Sequence, residues 1–275
     1  MWDKISAGIV LYNPDIETLR QNIDAIINKV KLLILVDNGS GNIDDVTLIL
    51  SDNIVLIKNP QNKGIAAALN QICEYSLDNG FEWTLTLDQD SVVPDNIVDE
   101  FSKFATLEKA GMLAPIMCDR NRGDSKRNNN PSMVSEIKEC ITSGSMINLN
   151  VWNEIGRFDE ELFIDGVDFD ICYRIIQNGY KILQVNNVYL SHEIGRMEKH
   201  KFLYFSFYVK NHSAFRKYYI ARNTVYLARK QHNVKKIVKS QFQILKLLIL
   251  TLLYEDDKKN KGKKIIKGNW DGLKR

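Results

Sequence analysis

Asp88 and Asp90 flank a single residue, Gln89, directly after the apolar run Trp83-Thr84-Leu85-Thr86-Leu87. The pattern is that of a strand ending at the rim of a sheet with two carboxylates presented. Buried strand ends do not tolerate unpaired charge, so the pair requires a cation, a solvated rim or basic partners. Hard oxygen ligands of this kind suit Mg2+ or Mn2+, with diphosphate oxygens and water completing the shell. The simpler alternative is that one aspartate caps the next helix, which Pro94 would help to start.

A second group of acids could handle a proton. Asp165, Asp168 and Asp170 crowd the start of a predicted helix, with Glu160-Glu161 upstream and Arg174 downstream. The helix dipole favours a carboxylate there, so capping accounts for one of them. Three within about six residues exceed what a cap needs, and one set in a cleft could take a proton from a hydroxyl. His192 is a third possible metal ligand or a structural hydrogen-bonding group.

A third group could hold a nucleotide. Tyr12 could lay its ring or hydroxyl against a base, and Asp37 could accept the imide N–H of uracil or thymine. Asp37 could equally close an Asx-turn with Asn38-Gly39. Asn62-Lys63-Gly64 precedes a predicted helix, where backbone N–H groups and the lysine could meet phosphate, or where glycine eases an ordinary helix start. No GxGxxG or GxxxxGK[ST] occurs, so dinucleotide and P-loop readings lack support.

These residues need a scaffold, and the first half of the chain supplies one. Strands are predicted at Ile5–Tyr12, Leu32–Asp37, Ile54–Lys58, Trp83–Asp88 and Met112–Pro115. Helices are predicted near Asp15–Val30, Ile43–Ser51, Gly64–Asn79 and Asp95–Ala110. Alternation at this pitch indicates an α/β fold with a mostly parallel central sheet flanked by helices. In such sheets ligands sit at the carboxyl ends of the strands. Tyr12, Asp37, Asn62-Lys63 and Asp88–Asp90 all follow strand ends. Beyond Pro115, the polar segment Cys118–Pro131 reads as a mobile flap or a surface insertion. Order is predicted to return at Cys140–Ile147, which includes Ser143 and Gly144.

The chain has 275 residues, 44% hydrophobic and 26% charged, enough for one large or two small domains with a real core. Its net charge of +3 is unevenly distributed. Up to Gly195 there are 16 basic and 29 acidic residues; from Arg196 onward there are 21 basic and 5 acidic. A basic tail of this kind suggests an anionic partner, either a membrane surface or a nucleic acid. Apolar Val234, Ile237-Val238, Phe242, Leu245, Leu248-Ile249 and Leu252 at helical spacing, interleaved with Lys235, Lys236, Lys239 and Lys246, predict an amphipathic helix. It would lie on an anionic membrane, or pack on the catalytic domain or on a second subunit of a homodimer. The apolar stretch Ile244 to Tyr254 is interrupted by Lys246 and too short to span a bilayer. Nucleic acid is not expected, because no binding motif accompanies the charge. Cys73, Cys118, Cys140 and Cys172 show no CxxC spacing, which favours a reducing cytosol over a disulfide framework. Met1-Trp2-Asp3-Lys4 runs straight into a strand, so no signal peptide is expected.

In this order, the motifs resemble glycosyltransferase family 2, inverting enzymes with a GT-A nucleotide-diphospho-sugar transferase fold. The matching stretches are Val10–Asn13, Val36–Ser40, Asn62–Ala66, Leu87–Asp90, Phe158–Phe163 and Val167–Asp170. The closer resemblance is to bacterial rhamnosyltransferases of that family. It is carried by Phe163–Asp168, where many relatives have Glu-Asp for Val167-Asp168, by His192–Gly195, and by Phe215–Asn223.

The resemblance implies a GT-A catalytic domain over 1–212, with a nucleotide-sugar half to about 115 and an acceptor half beyond it. A basic amphipathic helical region follows over 213–275. It implies that Tyr12, Asp37, Asn62, Lys63, Asp88 and Gln89 hold the nucleotide, that Asp88, Asp90 and His192 bind Mn2+ or Mg2+, and that Asp168 is the catalytic base. Ser143, Gly144, Asp165 and Arg222 would contact donor or acceptor. The implied donor is dTDP-β-L-rhamnose, with a UDP-sugar of galactofuranose or glucose type as the alternative. The implied acceptor is a saccharide, free or polyprenyl-linked, which sets the enzyme in the bacterial cytoplasm at the inner face of the plasma membrane. Two rivals fare worse. A nucleotidyltransferase would want a Gly-rich basic loop where Tyr12-Asn13-Pro14 stands. A non-catalytic sugar-nucleotide scaffold would have no need of the intact Asp88, Asp90, Asp168 and His192 set.

Overall fold

The computed structural model describes residues 2–119, 133–192, 198–202, 205–209 and 211–275. The polar segment read as a flap or insertion lies almost wholly outside them, as does the side chain of His192. The chain divides into two units. The first comprises Met1–Glu161 and Val167–Glu193; the second comprises Leu162–Gly166 and Ile194–Arg275.

The first unit is built on strands β1 (Ile5–Leu11), β2 (Leu33–Asp37), β3 (Ile54–Lys58), β4 (Trp83–Asp88), β5 (Ala110–Asp119), β6 (Val134–Ile137), β7 (Ser145–Asn148) and β8 (Lys181–His192). Helices α1 (Ile16–Ile26), α2 (Ile43–Thr47), α3 (Ile65–Asp78), α4 (Ile97–Ser102), α5 (Leu149–Glu154) and α6 (Val167–Gln177) connect them. The strands form one sheet in the order β3-β2-β1-β4-β7-β5-β8-β6. Every residue of β1 and β2 is buried, as a central parallel strand covered on both faces requires. Asp15 caps α1 by accepting from the N–H of Thr18 at 2.9 Å, and Leu19, Ile23 and Ile26 bury the helix face at its natural period.

Register sets three strand ends level. Leu11 pairs with Asp37, and Val10 with Asp88, all in parallel ladders. Strands run from β1 outward to β2 and β3, then return to the other side of β1 with β4. The β1/β4 boundary is therefore a topological switch point, the position at which sheets of this kind bind ligands.

One expectation changes, and one feature appears that the sequence did not show. The helix predicted near Asp95–Ala110 is only α4, six residues; beyond it the chain continues in turns, the N–H groups of Phe104, Leu107 and Ala110 each bonding the carbonyl three residues back, while Ala105 stays buried. The segment Cys140–Ile147 contains β7, which runs antiparallel between β4 and β5. A short apolar run carries no sign of its direction, so the sequence could not reveal this reversal.

The second unit holds the hairpin β9 (Glu198–Phe202) and β10 (Phe205–Val209), followed by helices α7 (Ala214–Lys230), α8 (Val234–Tyr254) and α9 (Lys258–Lys274). Helices α7 and α9 approach closely because α9 presents Gly268 and Gly272. A Cβ there would lie 2.3 Å from the Tyr218 carbonyl oxygen and 2.5 Å from that of Arg222. Ala221, Val225, Ile244 and Ile265 form the small core. Within it Glu255 bridges the ammonium groups of Lys217 and Lys261, all three nearly fully buried. The apolar stretch ending at Tyr254 is the second half of α8. That helix has 21 residues and, by length and composition, is long and apolar enough to cross a membrane.

Candidate active site

Four loops follow the carboxyl ends of β1, β2, β3 and β4. Tyr12, half exposed, follows β1, and its N–H donates to Gln89 Oε1 at 2.8 Å. The Gln89 carboxamide thus spans the switch point and ties the end of β1 to the Asp88–Asp90 turn. Asn22, buried on α1, donates from Nδ2 to the Asp88 carbonyl at 2.8 Å and fixes the same turn from below. Asp88 is half-buried and Asp90 exposed.

Asp37 is buried, and its carboxylate accepts from the N–H groups of Gly39 at 3.2 Å and Ser40 at 3.1 Å. This is the Asx-turn alternative realised. The same bonds hold the carboxylate at the strand tip in one orientation. Asn38, also buried, accepts from the Lys63 N–H at 3.2 Å and donates to the Gly64 carbonyl at 3.0 Å. It clamps the loop that leads into α3. Asn62 turns inward and accepts from the Gly64 N–H at 2.9 Å, while Lys63 is exposed.

The loop before β7 joins the two acidic groups. Ser143 Oγ accepts from the Asp88 N–H at 3.0 Å and donates to Ser91 Oγ at 2.9 Å. The preceding residue, Thr142, donates its N–H to Asp168 Oδ1 at 2.8 Å. Thr86 Oγ1 fixes the Thr142 carbonyl at 2.7 Å, and the Gly144 N–H donates to Thr86 O at 2.8 Å. Gly144 has φ +76°, and a Cβ there would come within 2.3 Å of the Leu190 side chain. Thr142, Ser143 and Gly144 therefore connect β4 with the first turn of α6.

The three aspartates of that region separate by environment. Asp168 lies half-buried in the first turn of α6. Asp170 is buried and held by Arg174 at 2.7 Å, an i,i+4 pair that also ties α6 to the Ile155 carbonyl. Asp165 belongs to the second unit, where Arg216 holds it through two guanidinium nitrogens at 2.8 and 3.0 Å. Arg222 is buried there too, its Nε on Asn223 Oδ1 at 2.8 Å and its guanidinium 4.8 Å from the Tyr219 ring. His192 closes β8.

Sequence reasoning missed Asn22, Asn38 and Thr142. A polar residue on an otherwise apolar helix face was the available signal for Asn22. Asn38 was visible only as a turn former, and Thr142 acts through its backbone, which no residue type discloses. Cys140 and Cys172, distant in sequence, meet at 3.8 Å between sulfurs one turn beyond Asp168. Their hydrogen bond and burial push the Cys140 thiol well above the usual range, and the same bond draws Cys172 below it.

For a divalent ion, the donor set fits one kind of site. Asp88 and Asp90 give hard oxygens at a strand end, and among the described residues no group of three His, Cys, Asp or Glu could hold an ion. Two carboxylates suit an ion whose remaining ligands are diphosphate oxygens and water.

The switch point at β1/β4 and the loop before β7, which bonds to both acidic turns, bring the candidate residues of the first unit onto one sheet end. Residues 6–159 match the model of glycosyl transferase family 2, and the chain belongs to that family. It is 30% identical to dTDP-rhamnosyl transferase RfbF of Shigella flexneri, over all of this chain and 97% of that protein. The mannosyltransferase PcManGT from Pyrobaculum calidifontis, solved with GDP-Man and Mn2+, superposes with a TM-score of 0.61 at 13% identity, covering 98% of this chain and 87% of that one. GalNAc-T7, solved with UDP, GalNAc and Mn2+, gives a TM-score of 0.59 at 17% identity over 69% of this chain, which spans 44% of that one. These likenesses establish the GT-A-like fold, and the chain is a glycosyltransferase.

Proposed function

We propose that this glycosyltransferase moves L-rhamnose from dTDP-β-L-rhamnose to a hydroxyl of a saccharide acceptor, with inversion, during cell-surface polysaccharide synthesis. The near full-length similarity to a dTDP-rhamnosyl transferase supports the donor. The observation that carries the mechanism is the pair of bonds from Asp88 to Ser143 and from Thr142 to Asp168, which couples the diphosphate end of the cleft to the base.

The nucleoside lies beyond β1 and β2, with the Tyr12 ring against it and the oriented Asp37 carboxylate on the imide of thymine. Lys63 and the backbone at the start of α3 favour the phosphates. Asp88 and Asp90, with His192, would hold Mg2+ or Mn2+, which when bound offsets the charge that grows on the departing diphosphate. Asp168, held by the Thr142 N–H, takes the proton from the acceptor hydroxyl. That oxygen attacks the anomeric carbon from the face opposite the diphosphate. The bond to the β-phosphate oxygen breaks with its electron pair, and configuration inverts in one displacement.

A polyprenyl-linked acceptor sets the enzyme at the cytoplasmic face of a bacterial plasma membrane, with an anionic surface as partner of the basic C-terminal region. The test is a panel of dTDP-rhamnose, UDP-galactofuranose and UDP-glucose, scored by release of the nucleoside diphosphate. Turnover with dTDP-rhamnose is expected; turnover with a UDP-sugar alone would move the donor to the other class.

A further inference from the structure

Helices α8 and α9 leave apolar side chains in solvent in an ordered way. On α8, Val238, Phe242, Leu245, Ile249 and Leu252 follow a four-then-three spacing, and each is between 44% and 68% exposed. On α9, Ile266, Trp270 and Leu273 repeat the pattern at 60%, 59% and 38%.

The contacts settle which way these stripes face. Ser240, Ile244 and Thr251 mark the buried side of α8. Leu248 and Leu252 meet Gly262 of α9, and Gln241 donates to Asn269 at 3.1 Å, which marks its α9 side. At about 100° per residue, the α8 stripe begins just past that α9 side, turned away from the buried face. On α9, Gly268 and Gly272 face α7, and Gly262 and Asn269 face α8. The stripe of Ile266, Trp270 and Leu273 again begins just past the α8 side. Both stripes therefore lie on one outer face of the α8–α9 pair, opposite α7.

Lysines border that face on both edges. Lys235, Lys239 and Lys246 follow the α8 stripe, and Lys263 and Lys274 follow that of α9, while Lys259 lies in line with that stripe about two turns before Ile266; all six are exposed. The Lys274 ammonium sits 4.9 Å from the centre of the Trp270 ring. The acids lie elsewhere. Glu255, Asp256 and Asp257 make the turn between the helices, and Asp271 is held by Tyr218 and Lys267 on the α7 side.

We propose that this face is a two-helix lipid-binding surface that lies in the plane of an anionic bilayer, its apolar stripes among the acyl chains and its lysines at the phosphate level. The proposal rests on the membrane reading above and adds its residues and geometry; it is independent of the donor. An apolar band with basic edges and an interfacial Trp is complementary to a lipid surface, with lysine stems reaching outward to the headgroups. A membrane-crossing α8 is disfavoured by its packing, since its partner α9 carries Lys258, Lys259, Lys261, Lys263, Lys264 and Lys267 over its first turns. Taking those charges into hydrocarbon would be costly.

The test uses the full chain with sedimented vesicles of phosphatidylcholine, alone or mixed with phosphatidylglycerol. Binding is expected only to the anionic vesicles, weakening as salt rises, and an alkaline carbonate wash should release the protein. Phe242→Gln/Leu245→Gln/Ile249→Gln should lower partitioning roughly tenfold or more, since each inserted side chain contributes on its own. Lys235→Glu/Lys239→Glu/Lys246→Glu should do likewise. These side chains are exposed, and circular dichroism checks that the helices remain. Equal binding by the Gln variant would overturn the proposed face while sparing the membrane reading. No binding by the unaltered protein would overturn both and leave donor turnover to stand separately. Carbonate resistance would mean that α8 spans. A dimer in vesicle-free buffer that the Gln variant dissociates would give the face to a second copy.

Discussion

The backbone N–H of Thr142 donates to the Asp168 carboxylate at 2.8 Å, which fastens the first turn of α6 to the loop entering β7. The next residue in that loop accepts from Asp88, so two consecutive residues connect the proposed base with the proposed diphosphate strand. One short backbone segment thus joins the two ends. The predictions below concern that link, the acids at its two ends and the buried charges of the second unit.

Asp168→Asn retains an oxygen for the Thr142 N–H but cannot accept a proton. Turnover should fall by roughly 10² to 10⁴, while dTDP binding measured calorimetrically stays within about twofold. Unchanged turnover would remove Asp168 as the base.

Metal dependence should appear in two independent ways. EDTA should stop sugar transfer, with Mn2+ or Mg2+ restoring it. Asp90→Ala should raise the metal concentration needed for half-maximal activity by at least about tenfold, the worth of about 1.4 kcal/mol of lost interaction. Activity that survives chelation would exclude the metal role of Asp88 and Asp90.

Gly144→Ala forces a side chain onto a left-handed backbone and into Leu190. A loss of about 1–3 kcal/mol is expected, read from denaturant unfolding. Because Ser143 and Thr142 move with it, kcat should fall as well. A variant of full stability and full activity would show that the loop has other ways to hold its position.

Glu255→Gln removes the only buried anion between Lys217 and Lys261 among the described residues. Breaking such a pair costs about 3–5 kcal/mol, visible as faster amide exchange across α7–α9. Lys217→Met should be much milder, because it removes charge rather than exposing it. Burial draws the Lys217 ammonium below the usual lysine range. Between that lowered value and about 10.4 the unfolded chain binds more protons than the folded one. The Lys217 contribution to stability therefore rises with pH through that window. Comparing unfolding midpoints of the unaltered protein and Lys217→Met across alkaline pH isolates this slope, and parallel curves would contradict it.

Much of the first unit was legible because strand and helix periods differ. Buried runs such as Ile5–Leu11 and Leu33–Asp37 are bounded by turn formers, and their lengths fit central strands. The Asp88–Asp90 pair and the acidic start of α6 could be picked out because charge beside an apolar run must be compensated. The α4 helix was overestimated, since Phe104 and Ala105 continue its apolar pattern into the core but on a backbone held in turns rather than in helix. The segment read as a flap lies, apart from its first two residues at the end of β5, outside the described residues, as does the His192 side chain.

The order of residues along this chain was sufficient to indicate an α/β sheet with acids at its strand ends, and a basic tail with an apolar stripe. Only tertiary structure decided that β7 reverses, that Asp168 rather than Asp170 shares a loop with Asp88, and that the stripes of α8 and α9 share one face. The reason is physical. Periodicity and burial are local and leave their mark in consecutive residues. Strand direction, backbone hydrogen bonds and helix rotation are set by contacts between segments far apart in the chain.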